Sequence, residues 1–92
     1  MTIVRVPGKN SHKVMLYALS TCGWCKKTRQ LLEELGVEYS YEYVDLLVGE
    51  DRKAAMDAVT HWNPACNFPT LVIDNQACIV GFEEAKIREA LA

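Results

Sequence analysis

Val14-Met15-Leu16-Tyr17-Ala18-Leu19-Ser20-Thr21-Cys22-Gly23-Trp24-Cys25 is the stretch that decides the fold. Val14 to Leu19 is a continuous apolar run of strand length, the pattern of a central strand buried on both faces. Ser20-Thr21-Cys22-Gly23 breaks the run. From Gly23 the period changes: Cys25, Thr28, Leu31, Leu32 and Leu35 recur at helical spacing, and Gly36 stands where a C-terminal cap belongs. A buried strand therefore hands over to a helix at Cys22-Gly23-Trp24-Cys25.

Working outward, Val37 to Leu46 alternates. Tyr39, Tyr41 and Tyr43 share one side, and Glu38, Ser40 and Glu42 the other, as in a half-buried strand. A second helix is expected over Glu50 to Trp62, with acids at its start and a stop at Asn63-Pro64. Thr70-Leu71-Val72-Ile73, a turn at Asp74-Asn75-Gln76, and Ala77-Cys78-Ile79-Val80 read as a β-hairpin. Glu83 to Leu91 makes the last helix. Upstream, Thr2 to Val6 is a short strand candidate stopped by Pro7-Gly8. The order β-α-β-α-β-β-α, with an optional N-terminal strand, predicts a mixed α/β sheet of four or five strands with helices on both faces. Residues 1–13 read as an N-terminal extension and 14–92 as the folded domain.

Ninety-two residues, half of them apolar, suffice for one core. A net charge of −2 with no basic stripe argues against a nucleic-acid binder. No signal segment or membrane-length apolar run is visible, so a cytoplasmic, monomeric protein with no membrane partner is expected.

The chemistry centres on the cysteine pair. A thiolate at a helix N-terminus is stabilised by unpaired N–H groups and the helix dipole, which lowers its pKa. Cys22 takes that cap position and is expected to be the exposed nucleophile. Cys25, three residues on, faces the same turn and suits a resolving thiol, with Lys26 and Lys27 adding positive charge. A bare C-x-x-C also suits half a zinc site, but Cys66, Cys78, His12 and His61 supply no second pair at the usual spacing, so no metal is assigned. Phe68-Pro69 opens a strand, where proline removes a ladder donor. A cis X-Pro turn is one explanation, and an ordinary loop-ending proline is the other. Cys66, three residues before Pro69, is a candidate redox auxiliary.

These markers stand in order: a strand running into Cys22-Gly23-Trp24-Cys25, Phe68-Pro69-Thr70 opening a strand, and Gly81-Phe82 opening the last helix. Over residues 14–92 the chain resembles glutaredoxins and glutaredoxin-like redoxins. The resemblance implies a thioredoxin fold, a cis peptide before Pro69, and disulfide exchange at Cys22 with Cys25 resolving. It implies a substrate-binding rim of Thr21, Gly23, Trp24, Phe68, Pro69, Gly81 and Phe82. No resident cofactor is expected. Glutathione users usually carry lysine where Leu19 stands and Thr-Val-Pro where Asn67-Phe68-Pro69 stands. Backbone N–H groups near Phe82 and Glu83 offer a site for a glutathione carboxylate, whereas Glu83 and Glu84 would repel it. Gly81-Phe82 instead looks like the donors of ribonucleotide reductase, which draw on thioredoxin-reductase-type partners. Glutathione and such a reductase are therefore both carried as reductants. A module binding a [2Fe–2S] cluster ranks second, because such glutaredoxins typically have serine at the position of Cys25.

Overall fold

The computed structural model describes residues 3–91. The chain runs β1 (Val4–Val6), β2 (Val14–Ala18), α1 (Gly23–Glu34), β3 (Tyr39–Tyr43), a 3-10 turn (Val44–Leu46), α2 (Gly49–Trp62), β4 (Thr70–Ile73), β5 (Ala77–Val80) and α3 (Glu84–Leu91). One mixed sheet has the order β1-β3-β2-β4-β5. β2 and β3 are parallel, with Leu16 opposite Tyr41. The other three pairings are antiparallel. This is the thioredoxin-type α/β architecture, with the expected N-terminal strand added at one edge. Thr2, the first residue of that expected strand, lies outside the described residues.

Two apolar clusters hold the layers together. On one face Leu16, Ala18, Leu32, Leu71 and Ile87 are buried between the sheet and helices α1 and α3. On the other, Val44, Leu47 and Ala55 pack with Tyr17, Met56 and Phe68 beneath α2. Each fully buried Leu or Ile contributes about 1.5–3 kcal/mol. The tyrosines of β3 have a further partner in α1. Arg29 donates to the hydroxyls of Tyr39 at 3.1 Å and Tyr43 at 2.8 Å, and its guanidinium lies 3.8 Å from the centre of the Tyr41 ring. Tyr39 in turn donates to Glu33 at 2.9 Å. The alternation of tyrosines thus fixes how α1 sits on the sheet.

Three expectations need correction. The strand expected over 37–46 covers only Tyr39–Tyr43, because the chain then winds into a 3-10 turn that turns Asp45 toward the β2–α1 loop. Glu42, read as part of a polar side, is 6% exposed, since that side of β3 lies beside Tyr17. β2 is fully buried on one face only: Met15 and Tyr17 are half-buried because α2 covers the second face incompletely.

At the end of the sheet away from the cysteines, the connection after β1 is clasped to its neighbours. Lys9 donates to the Gly36 carbonyl at 2.8 Å, and Glu38 donates to the Lys9 carbonyl at 2.8 Å. Gly8 lies so close that a Cβ there would fall 2.6 Å from the Val37 carbonyl carbon. His12 meets Asp74 of the hairpin turn at 2.8 Å, and the Lys13 N–H donates to the same carboxylate at 2.8 Å. These contacts hold the Asp74 carboxyl below the usual range, the His12 bond being the largest influence.

Candidate active site

Cys22 is the N-cap of α1, with extended backbone (φ −94°, ψ 116°). Its sulfur accepts the Cys25 N–H at 3.2 Å, the bond an N-cap acceptor makes to an unpaired donor of the first turn. No acidic side chain stands in that turn to compete for it. Cys22 is half-buried, while Cys25 is 1% exposed within the α1–sheet core. The two thiols are free and unequal. Burial pushes the Cys25 thiol up to about 12, and its hydrogen bond with Cys22 adds to the rise.

The loop carrying Cys22 is tied down from outside. Ser20 donates its N–H to Asp45 at 2.9 Å and its hydroxyl to the same carboxylate at 2.5 Å. These bonds hold the Asp45 carboxyl below its ordinary range. A second support lies under the Phe68-Pro69 turn, whose peptide bond is cis. Buried Asn63 donates to the Asn67 carbonyl at 2.9 Å and to the Thr70 hydroxyl at 3.3 Å, and that hydroxyl donates to the same carbonyl at 2.7 Å. Pro69 is buried, and its carbonyl accepts the Gly81 N–H at 2.9 Å, joining the proline turn to the start of the α3 connection. Gly81 adopts φ +83°, a conformation that favours glycine.

Trp24 is 58% exposed and stacks on Phe82, with ring centres 5.9 Å apart and planes 19° apart. Lys27 caps the indole, its ammonium 5.0 Å from the ring centre. Thr21 and Gly23 are exposed beside Cys22, and Phe68 is half-buried. The sequence-derived residues Thr21, Gly23, Trp24, Phe82, Gly81, Phe68 and Pro69 therefore gather at the C-terminal end of β2. Cys66 sits in the same proline loop at φ +54°, its sulfur 3.3 Å from the Thr60 hydroxyl and 3.8 Å from the Pro64 carbonyl. Cys78 is only half-buried because β5 is an edge strand. The backbone N–H of Glu83 donates to the Gly81 carbonyl at 3.1 Å. Asp45 and Asn63 were missed by sequence reasoning. Asn63 read as a helix stop, although Asn63, Asn67 and Thr70 bracketing Phe68-Pro69 formed a usable signal.

What this arrangement can do is thiol exchange: one accessible sulfur at a helix N-terminus, with a second, shielded sulfur one turn behind it. The comparisons with known proteins agree. Residues 14–78 match the family model described as Glutaredoxin. The chain is 31% identical over 74 residues to a glutaredoxin-like 8.6 kDa protein of the rubredoxin operon of Clostridium pasteurianum, covering 80% of this chain and 91% of that protein. It superposes on the crystal structure of a glutaredoxin from Methanosarcina mazei with a TM-score of 0.92 and 46% identity, covering 100% of this chain and 89% of that one. The corresponding values for methanoredoxin from Methanosarcina acetivorans are 0.89 and 47%, covering 92% and 90%.

Proposed function

The chain belongs to the glutaredoxin family, and on that footing we propose that it is a dithiol–disulfide oxidoreductase in which Cys22 attacks and Cys25 resolves. The observation that carries the reading is the asymmetry of the pair: Cys22 caps α1 and is the more accessible sulfur, while Cys25 is buried behind it. Cys22 thiolate attacks one sulfur of a substrate disulfide. A Cys22–substrate bond forms, the substrate S–S bond breaks, and the departing thiolate takes up a proton. Cys25 then loses its proton and attacks the Cys22 sulfur, which releases the second substrate thiolate and closes the Cys22–Cys25 disulfide. Two electrons pass to the substrate, and the proton lost by Cys25 together with one from solvent converts its two thiolates to thiols. The cysteines carry the electrons themselves, so no resident cofactor or metal is required.

Thr21, Gly23, Trp24, Phe68 and Phe82 form the rim that meets the substrate, with Pro69 and Gly81 shaping it from beneath. The acids Glu83 and Glu84 at the start of α3 oppose a glutathione carboxylate. They favour a thioredoxin-reductase-type enzyme over glutathione as the source of electrons. A protein disulfide such as that of ribonucleotide reductase, met in the cytoplasm, is the target class that fits. Among the described residues no helix is long and apolar enough to cross a membrane.

Insulin-disulfide reduction tests the core of this reading. Cys22→Ser should abolish turnover, and Cys25→Ser should trap the mixed disulfide. Full activity in Cys22→Ser would refute it. Rapid turnover with glutathione alone would overturn the choice of reductant.

A further inference from the structure

We propose that the α2 face of the sheet carries a second binding site, across the sheet from α1, for a small amphiphilic anion: a body of one or two apolar rings seated between Trp62 and strands β2 and β4, with its acidic group toward Lys13. The inference stands apart from the thiol–disulfide reading, since no residue of that reading enters it.

The site follows from how little of the sheet α2 covers. Residues paired directly across strands share a face, so Arg5, Ser40, Met15 and Val72 make one row across β1, β3, β2 and β4. Tyr17 stands two residues beyond Met15 on the same face. Ala55 and Val59 are the buried residues among the 14 of α2, and Trp62, which ends the helix, is half-buried. The helix therefore seals one stripe of the face. Beside that stripe lies a cavity of about 310 Å³, walled by Met15, Tyr17, Trp62 and Val72 and edged by Ile3. Such a volume stands at the small end of the roughly 300–1,000 Å³ of ligand cavities. It admits a flat ring system between aromatic and aliphatic walls, and no folded surface.

Charge selects the occupant. A second cavity of about 280 Å³ adjoins the first, since Lys13, Val14 and Ser40 line both. Its other walls include Arg5, His12 and Glu38. Arg5 is held by Glu38 at 2.9 Å, and His12 by Asp74 at 2.8 Å. Lys13 gives its backbone N–H to Asp74, while its ammonium has no ion-pair partner among the described residues. The charged group left at the junction of the two cavities is thus a cation, and it stands beside an apolar slot. An apolar body alone would leave that ammonium unused. A bare anion would leave the slot to water. A molecule with both parts satisfies both.

The test uses the reduced full chain and three probes: 2-naphthoate, the neutral 2-naphthamide of the same shape, and acetate, the head group alone. Calorimetry gives the affinities, and NMR shifts of backbone amides and indoles give the place. 2-Naphthoate should bind saturably, one per chain, and move the signals of Met15, Tyr17, Val72 and the Trp62 indole while those of Cys22, Gly23 and Trp24 stay. It should bind about fivefold tighter than 2-naphthamide, the upper end of what one exposed ion pair supplies, and equal acetate should not displace it. Lys13→Ala should bring the two naphthyl affinities level, with thermal melts checking that this surface change leaves the fold intact. The inference is overturned by no saturable naphthoate binding, by shifts confined to the cysteine end, by displacement with equal acetate, by equal naphthyl affinities in the wild type, or by a preference that survives Lys13→Ala. None of these outcomes bears on exchange at Cys22, which insulin reduction measures separately.

Discussion

In the reduced protein Cys25 should behave as a thiol that is almost never ionised. Burial raises it first and the hydrogen bond with Cys22 second; the Leu19 backbone opposes them, and the nearby charges of Cys22 and Asp45 add less than that. Taking the value of about 12 against an ordinary thiol at 9.0, the ionised fraction at pH 8 is about one in ten thousand instead of about one in ten. Alkylation should then run about a thousandfold slower than for an ordinary thiol, before any steric shielding is counted. Pulses of iodoacetamide on the reduced protein from pH 7 to 11, read by peptide mass spectrometry, give the titration of each cysteine. The Cys22→Ala variant removes the second cause and leaves the first. Its Cys25 should titrate below the wild-type value yet above 9. The same loss occurs in the reaction, because Cys22 held in a mixed disulfide no longer bonds to Cys25 as a free thiol, so the resolving proton leaves more easily at that stage. The unfolded chain releases this proton first, so the contribution is fully present below pH 9 and is lost as pH rises from there toward 12. Alkylation of Cys25 within tenfold of a free thiol at pH 8, or a midpoint unmoved in Cys22→Ala, would refute the reasoning.

Other perturbations test the supports of the site. Asp45→Asn removes a charge that receives two bonds from Ser20; a loss of about 1 kcal/mol is expected after allowing for exposure, with Cys25 titrating slightly lower, and urea melts together with the alkylation profile measure both. Because the Asp45 carboxyl is held low, the wild-type share of that stability is present above the ordinary carboxylate range and is lost as pH falls below it. Asn63→Ala leaves the Asn67 carbonyl and the Thr70 hydroxyl short of a donor and should cost about 2 kcal/mol; an unchanged denaturation midpoint would count against that network. Gly8→Ala drives a Cβ against the backbone of Val37 and should destabilise by about 1–3 kcal/mol, whereas a neutral result would show that the clasp after β1 yields freely.

Much of this was legible because it is local. The hairpin appears at its expected strands, since Asp74 and Asn75 accept the left-handed backbone (φ 55° and 52°) that a tight turn demands. The cysteine pair lies where a strand changes into a helix, and that change of period is written in the single stretch from Val14 to Leu35. Asp45 was not legible, because its partner Ser20 is 25 residues away and no periodicity encodes such a pairing. The same limit hid Glu42, whose burial depends on Tyr17 and on the layer that α2 lays over it. The proposed rim was read through a family resemblance, because its residues come from three separate connections that meet only where the strands end.

The short N-terminal strand has a consequence for the protein in a crowded solution. Tyr39-Ser40-Tyr41-Glu42-Tyr43 is an aromatic, strand-prone segment, the kind that recruits other chains when its hydrogen-bonding side is open. β1 occupies that side. The border it offers in exchange spans three residues, carries Arg5 and is closed by Pro7, which has no N–H to donate. What looks like an accessory strand outside the redox core thus acts as a guard against self-templating. It leaves only a stub as the unpaired margin on that side of the sheet.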